Sequence, residues 1–189
     1  MLRSFLTVLP LVAATMGQAA EVPPAMTSYI DSDVLPWVND AQVVAAINAQ
    51  NLVTAGMSHD DIIAKDTAWR AEVGAPDQPM IKQVLSAPLS AFLNEHVDAA
   101  QGRITEVFVM DSLGLNVASS AITSDYWQGD EAKFKNTYAM GPGAIFVDEI
   151  DLDESTQTYQ GQVSVAITDP ATGAVIGAIT IGLDASAFF

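Results

Sequence analysis

The apolar residues of this chain repeat with one period up to Gly102 and with another after it, and that single change narrows the available architectures. Before the glycine, residues 27–53 carry Val34, Val38, Ala41, Ala45 and Leu52 at three-, four- or seven-residue steps, which keeps them on one face of a helix. Pro36 predicts a kink near the start of that helix. Gly56 ends it, and Ser58-His59-Asp60-Asp61 opens the next with a capping serine and acids at the positive end of the helix dipole. That second helix is expected to run to about residue 73, where Gly74-Ala75-Pro76 stops it. A segment over residues 80–85 and, beyond Pro88, a helix over residues 89–99 complete the first half.

After Gly102 the period is two. Residues 104–110 and 115–120 read as strands joined by the turn Asp111-Ser112-Leu113-Gly114, and residues 145–151 and 159–168 as two more. Asp169-Pro170-Ala171-Thr172-Gly173 closes a hairpin, because proline presets φ and glycine accepts the left-handed position. Residues 175–183 are apolar on both faces, the signature of a covered, central strand. The expectation is an α+β domain: a helical layer over residues 27–100 packed on a five-stranded antiparallel sheet over residues 103–184, interrupted by an irregular insertion at residues 121–143.

Arg3, the apolar stretch 5–15 and the small-x-small tripeptide Gly17-Gln18-Ala19 form the three parts of a secretory signal. The apolar run is broken by Pro10 and is shorter than the ~20 residues a spanning helix needs. A signal peptide at residues 1–19 and a periplasmic or secreted domain at residues 20–189 are expected. The formal net charge is −16 for 189 residues, and −17 without residues 1–19, since Arg3 is the only charged residue lost. Nucleic acids and anionic lipid surfaces repel such a chain, so neither is expected as a partner. Cysteine is absent, which removes disulfides, thiolate metal sites and cysteine nucleophiles.

The hairpin Val107-Phe108-Val109-Met110-Asp111-Ser112-Leu113-Gly114-Leu115-Asn116-Val117-Ala118, following a long N-terminal helix, resembles extracytoplasmic sensor domains of the single-Cache type, also described as PAS-like or PhoQ/DcuS/CitA-like. The resemblance continues through Asp125-Tyr126-Trp127-Gln128-Gly129-Asp130-Glu131 and the closing turn at Asp169 and Gly173, with Ile176-Gly177-Ala178-Ile179 after it. It implies a PAS-like sheet, a sensor function in signal transduction, and a small-molecule pocket between the sheet's concave face and the segment joining the second and third strands, residues 123–143 here. The chain departs from receptors of that type in showing no flanking transmembrane helices and no output domain, so a separate membrane-bound signalling protein is the expected partner. Amino-acid-binding members hold a ligand carboxylate with an arginine beside a tryptophan. No arginine follows Arg103 here, and that specificity is not carried over.

The insertion concentrates aromatics and carboxylates. Aromatic faces attract cations and carboxylates neutralise them, so a small amine or quaternary ammonium ion is the natural guest. The candidate pocket walls are Tyr126, Trp127 and Tyr138, with Asp125, Asp130 and Asp148 as polar anchors and Ser164 on a neighbouring strand. The competing reading makes Tyr126 and Trp127 core residues that cap the sheet, and Asp125 or Asp130 a helix cap before Glu131. Residues 148–154 form the densest acidic run; it lacks calcium-loop spacing and reads as a charged edge, with a divalent-cation-binding or interaction module carrying a vestigial pocket as the alternative function. His59 and His96 lack ligand-spaced partners, and no nucleophile motif or phosphate loop is present, so neither catalysis, a metal site nor a cofactor is expected. Trp37, Trp69 and Phe92 read as core, and the helix over residues 38–53 as a face on which a homodimer could form.

Overall fold

A computed structural model describes residues 22–152 and 159–189; the predicted signal peptide and the acidic residues Asp153 and Glu154 lie outside them. The chain begins with α1 (Pro24–Tyr29), a π-helical stretch (Ile30–Val34) and α2 (Leu35–Val38). Met26, Ile30, Val34 and Val38 are all buried, and they recur every fourth residue. Such a stripe outruns a 3.6-residue turn, and the wider π turn, in which the Leu35 N–H reaches Ile30 O, keeps it facing the core. The same widening leads into Pro36, which has no N–H to give. Where a kink at Pro36 is expected, the helix passes through a π segment just before the proline. The chain then breaks at Asn39 and Asp40, whose carboxylate accepts the Gln42 N–H at 2.8 Å and opens α3 (Ala41–Thr54).

α4 (His59–Glu72) begins with a full capping box between Ser58 and Asp61. α5 (Pro79–Leu85) and α6 (Pro88–Ala99) each carry proline in the first turn, where the missing N–H has no partner to lose. Among the described residues the sheet runs in the order β2-β1-β6-β5-β3, all neighbours antiparallel. The strands are β1 (Ile104–Met110), β2 (Asn116–Ser119), β3 (Ile145–Val147), β5 (Tyr159–Thr168) and β6 (Val175–Asp184). The short β4 (Asp151–Leu152) continues β3 along the same edge of β5, so the sheet is five strands wide, as expected from the sequence. The one strand expected over residues 145–151 is divided because the chain leaves the ladder after Asp148 N bonds Gln162 O.

Strand alternation sorts the side chains onto two faces. Val107, Val109, Val163, Val165, Ile179, Ile181 and Leu183 pack against α1–α3 and α6 in the main core. The opposite face carries Phe108, Met110 and Ala178, covered by α7 (Ala132–Lys135) through Phe134 and by a 3-10 turn (Tyr138–Met140) through Tyr138. A second core of Ile62, Trp69, Ile81, Val84, Leu115 and Tyr126 joins α4 and α5 to the β1–β2 hairpin. Trp69 is fully buried, the core role read for it, while Trp37 and Phe92, read as core too, are half-buried and pack edge-on against the main cluster.

Candidate functional site

The β1–β2 turn organises the insertion. Asp111 is fully buried, and its Oδ1 accepts the N–H groups of Leu113 (2.9 Å) and Leu115 (3.0 Å), while Oδ2 accepts the Thr54 hydroxyl at 2.9 Å. A carboxylate without water needs such donors. Gly114 has φ +81°, and a Cβ there would stand 2.5 Å from the Cα of Gly129, so the turn and the insertion meet backbone to backbone. Gln128 N bonds Gly114 O at 2.8 Å, Asn116 N bonds Tyr126 O at 3.0 Å, and the Trp127 indole N–H reaches Leu113 O at 2.9 Å.

From the other side α4 clamps the same stretch. Asp66 Oδ1 accepts the N–H groups of Tyr126 (2.9 Å) and Trp127 (3.0 Å), and its Oδ2 pairs with Arg70 Nε at 2.7 Å. Arg70 Nη2 reaches on to Asp125 at 3.1 Å. Asp125 in turn acts on Glu131, which is ion-paired with Lys133 at 2.9 Å. Burial pushes the Glu131 carboxyl above its ordinary range, Lys133 pulls it back, and the charge of Asp125 adds to the rise. The result is a chain of alternating and repeated charges, Asp66, Arg70, Asp125, Glu131 and Lys133, from the helical layer to the far face of the sheet.

At its end lies a cleft of about 220 Å³ between residues 131–133, the sheet and the loop leading to β4. Gln160 and Gln162 of β5 form its floor, and Glu131, Asp148, Glu149 and Asp151 stand around it with Lys133. Beneath, Glu106 accepts hydrogen bonds from Gln160 (3.2 Å) and Gln162 (3.3 Å), which holds both amides in place. The Lys133 ammonium also sits 5.4 Å over the Phe108 ring. Among the described residues no group of three histidine, aspartate or glutamate side chains is arranged to hold a metal ion.

The seven residues singled out from the sequence fall in several places. Asp148 lines the cleft, and Asp125 does not, though its charge bears on Glu131, which does. Asp130 is exposed, and its carbonyl receives Lys135 Nζ. Tyr138 stacks on Phe134 with ring centroids 4.9 Å apart, roofing the apolar half of the same sheet face. Ser164 is fully buried on that face and shares a 2.8 Å hydrogen bond with Thr180. Tyr126 and Trp127 instead face the helical layer. Tyr126 packs on Trp69 with centroids 5.6 Å apart, and Trp127 meets His59 edge-on at 5.4 Å. Burial pushes the Tyr126 phenol up to about 12. Tyr126 belongs to the second core and also borders a cavity between α3, α4 and the α5–α6 turn, while Trp127 is half-buried against that core. Neither Asp125 nor Asp130 caps α7, whose N-cap is Glu131 without a side-chain bond.

Glu131, Lys133, Gln160, Gln162, Asp66 and Arg70 were not among the candidates. Asp66 and Arg70 stand four apart on a helix, a pairing legible in sequence. That Arg70 also meets Asp125, 55 residues on, has no local signal.

No family model matches the chain, and no curated protein matches it. Among solved structures the chain is similar to the extracellular domain of a protein described as a histidine kinase, rpHK1S-Z16 (11% identity, 78% of this chain and 56% of that one, TM-score 0.45). It is also similar to the ligand-binding domain of the Pseudomonas aeruginosa PAO1 amino-acid chemoreceptor PctC in complex with GABA (15% identity, 77% and 58%, TM-score 0.43). A third is the sensory domain of the Campylobacter jejuni chemoreceptor Tlp3 with isoleucine bound (12% identity, 89% and 66%, TM-score 0.42). The chain spans less than two thirds of each of these. Those three solved structures are described as extracellular, ligand-binding and sensory domains of a kinase and two chemoreceptors.

Proposed function

We propose that this protein is a non-catalytic, extracytoplasmic small-molecule-binding domain of sensor type, whose ligand lies in the cleft between the open sheet face and residues 123–143. The observation that supports this reading is the cleft itself: two uncharged amides held from below by Glu106, with four carboxylates and one ammonium around them. The carboxylates outnumber the cation. A ligand bearing an ammonium group, alone or beside a smaller negative charge that Lys133 can meet, fits that balance. Among the described residues no helix is long and apolar enough to cross a membrane. The proposal includes a separate membrane-bound partner that passes the binding event on. Pairing through the N-terminal helices is a further part of the proposal. In α3 the residues Val43, Val44 and Ile47 turn into the domain's own core, and Leu52 and Val53 near its end are exposed to take part in such a contact.

A thermal-shift screen of amines, amino acids, carboxylates and divalent ions tests the reading, since a ligand selective for the folded state raises the melting temperature. An amine or amino acid is expected to give a saturable rise that Asp148→Asn weakens at least tenfold in apparent affinity. A response confined to divalent ions would replace this function with the cation-binding alternative. A protein that answers no compound would leave an interaction module instead.

A further inference from the structure

A cavity larger than the cleft lies on the other side of the sheet from it. It measures about 590 Å³ and is bounded by α3, α4, the α5–α6 turn, β2 and Tyr126. Its size falls in the range of sites that enclose small organic ligands, roughly 300–1,000 Å³. Ala46, Ala49 and Val53 of α3, Met57, Leu89 and Val117 supply an apolar wall. Val53 is 75% exposed and stands unburied beside it. Three glutamine side chains, Gln42, Gln50 and Gln83, add neutral polar groups.

The charge of the lining is the informative feature. The chain has 23 acidic residues against 7 lysines and arginines, yet no acidic residue lines this cavity, and Lys65 does. Asp61, one turn earlier on α4, feels Lys65, but its carboxylate is held by the Ser58 hydroxyl at 2.7 Å and the Ser58 N–H at 3.0 Å. Asp111 lies behind Thr54 and Gln50, with its oxygens taken by the hairpin and by those two side chains. An anion entering here therefore escapes the repulsion it meets over the rest of the surface and finds one ammonium. A purely apolar guest would leave that ammonium beside low-dielectric surface, and a cation would be opposed by it.

We infer that this cavity is a second ligand site, separate from the cleft, and that it takes a small amphipathic carboxylate whose aromatic or branched aliphatic body lies on the Ala46, Leu89 and Val117 wall with its carboxylate at Lys65. Gln42 and Gln83 line the same cavity as neutral polar side chains.

The probe pair is phenylacetate and its neutral isostere phenylacetamide, titrated into protein labelled at the methionine methyl groups. Met57 lines the cavity, and its resonance is assigned by Met57→Leu. Phenylacetate is expected to move the Met57 methyl saturably and to bind more tightly than the amide. Lys65→Met should weaken the acid at least tenfold and leave the amide unchanged. Ala49→Phe, which places a ring into the cavity from an exposed position of α3, should abolish both. Asp148→Asn, in the cleft, should alter neither. The inference is overturned if the Met57 methyl stays still up to the solubility limit of phenylacetate while the spectrum is that of the folded protein. It is overturned too if acid and amide bind equally with Lys65→Met silent, or if the response survives Ala49→Phe and disappears with Asp148→Asn.

Discussion

Asp66 holds a charge at 8% exposure, met by two backbone N–H groups and one guanidinium. Replacing it with alanine strands the N–H groups of Tyr126 and Trp127 and leaves Arg70 and Asp125 to each other. Removing one partner of a buried ionic network costs about 3–5 kcal/mol, and the exposure of Arg70 places this case at the lower end of that range. Urea denaturation of Asp66→Ala is expected to show a loss near 3 kcal/mol, with Arg70→Ala milder because its side chain is 55% exposed. Glu131 carries the pH dependence. Its carboxyl is raised by burial, so the folded protein holds that proton more tightly than the unfolded chain does. The stability contributed by this group is complete below the ordinary glutamate value and is lost as pH rises through the raised folded value. Wild type should therefore lose stability relative to Glu131→Gln as pH climbs from mildly acidic to neutral, with the difference in melting temperature closing again in acid. A flat difference across that window would contradict the assignment.

At the scale of elements, local chemistry accounts for most of what the sequence foretold. The capping box at Ser58, the break at Pro88 that precedes the helix over residues 89–99, and the Asp169–Gly173 hairpin each act within a few residues, so their signals are readable without the fold. Ser58→Ala is expected to cost about 1 kcal/mol in denaturant titrations. It should also release the Asp61 carboxyl, now held below its usual value by the Ser58 bonds. That contribution is present above the ordinary aspartate value and lost as pH falls through the depressed one. Gly114→Ala joins a left-handed φ of +81° to a backbone contact of 2.5 Å, and the conformational part alone is about 1–2 kcal/mol. The expected outcome is a loss larger than that, seen together with faster hydrogen exchange in residues 125–129. The site was less legible because it is assembled from distant pieces. The alternation of Gln160, Gln162 and Ser164 in β5 was visible in sequence, but which of the three borders a hollow depends on where residues 131–133 cross the strand. Ser164 lies deeper, bonded to Thr180, while the two glutamines line the cleft. Likewise, an aromatic pair in a polar insertion could serve either side of the sheet. Tyr126 and Trp127 lie on the helical side, where Asp66 accepts both their backbone N–H groups and Arg70 ties Asp66 to Asp125.

For the molecule as a whole, a net charge of −16 on 189 residues sets self-repulsion against compactness. The four ion pairs between described residues offset little of it. Raising sodium chloride from about 0.01 M to 1 M shortens the screening length from about 30 Å to 3 Å. A rise in melting temperature should follow, steepest at the low end, and scanning calorimetry at several salt concentrations reads it directly. The amine response proposed for the cleft should weaken over the same range, because its recognition is ionic. The insertion adds a constraint of another kind. Its Tyr126 borders the hollow on the helical side and its Lys133 borders the one on the far face, only seven positions along the backbone. Two guests seated at opposite margins of one short stretch of chain share its free energy. Any factor by which the first alters the affinity of the second must be returned unchanged when their order of addition is reversed.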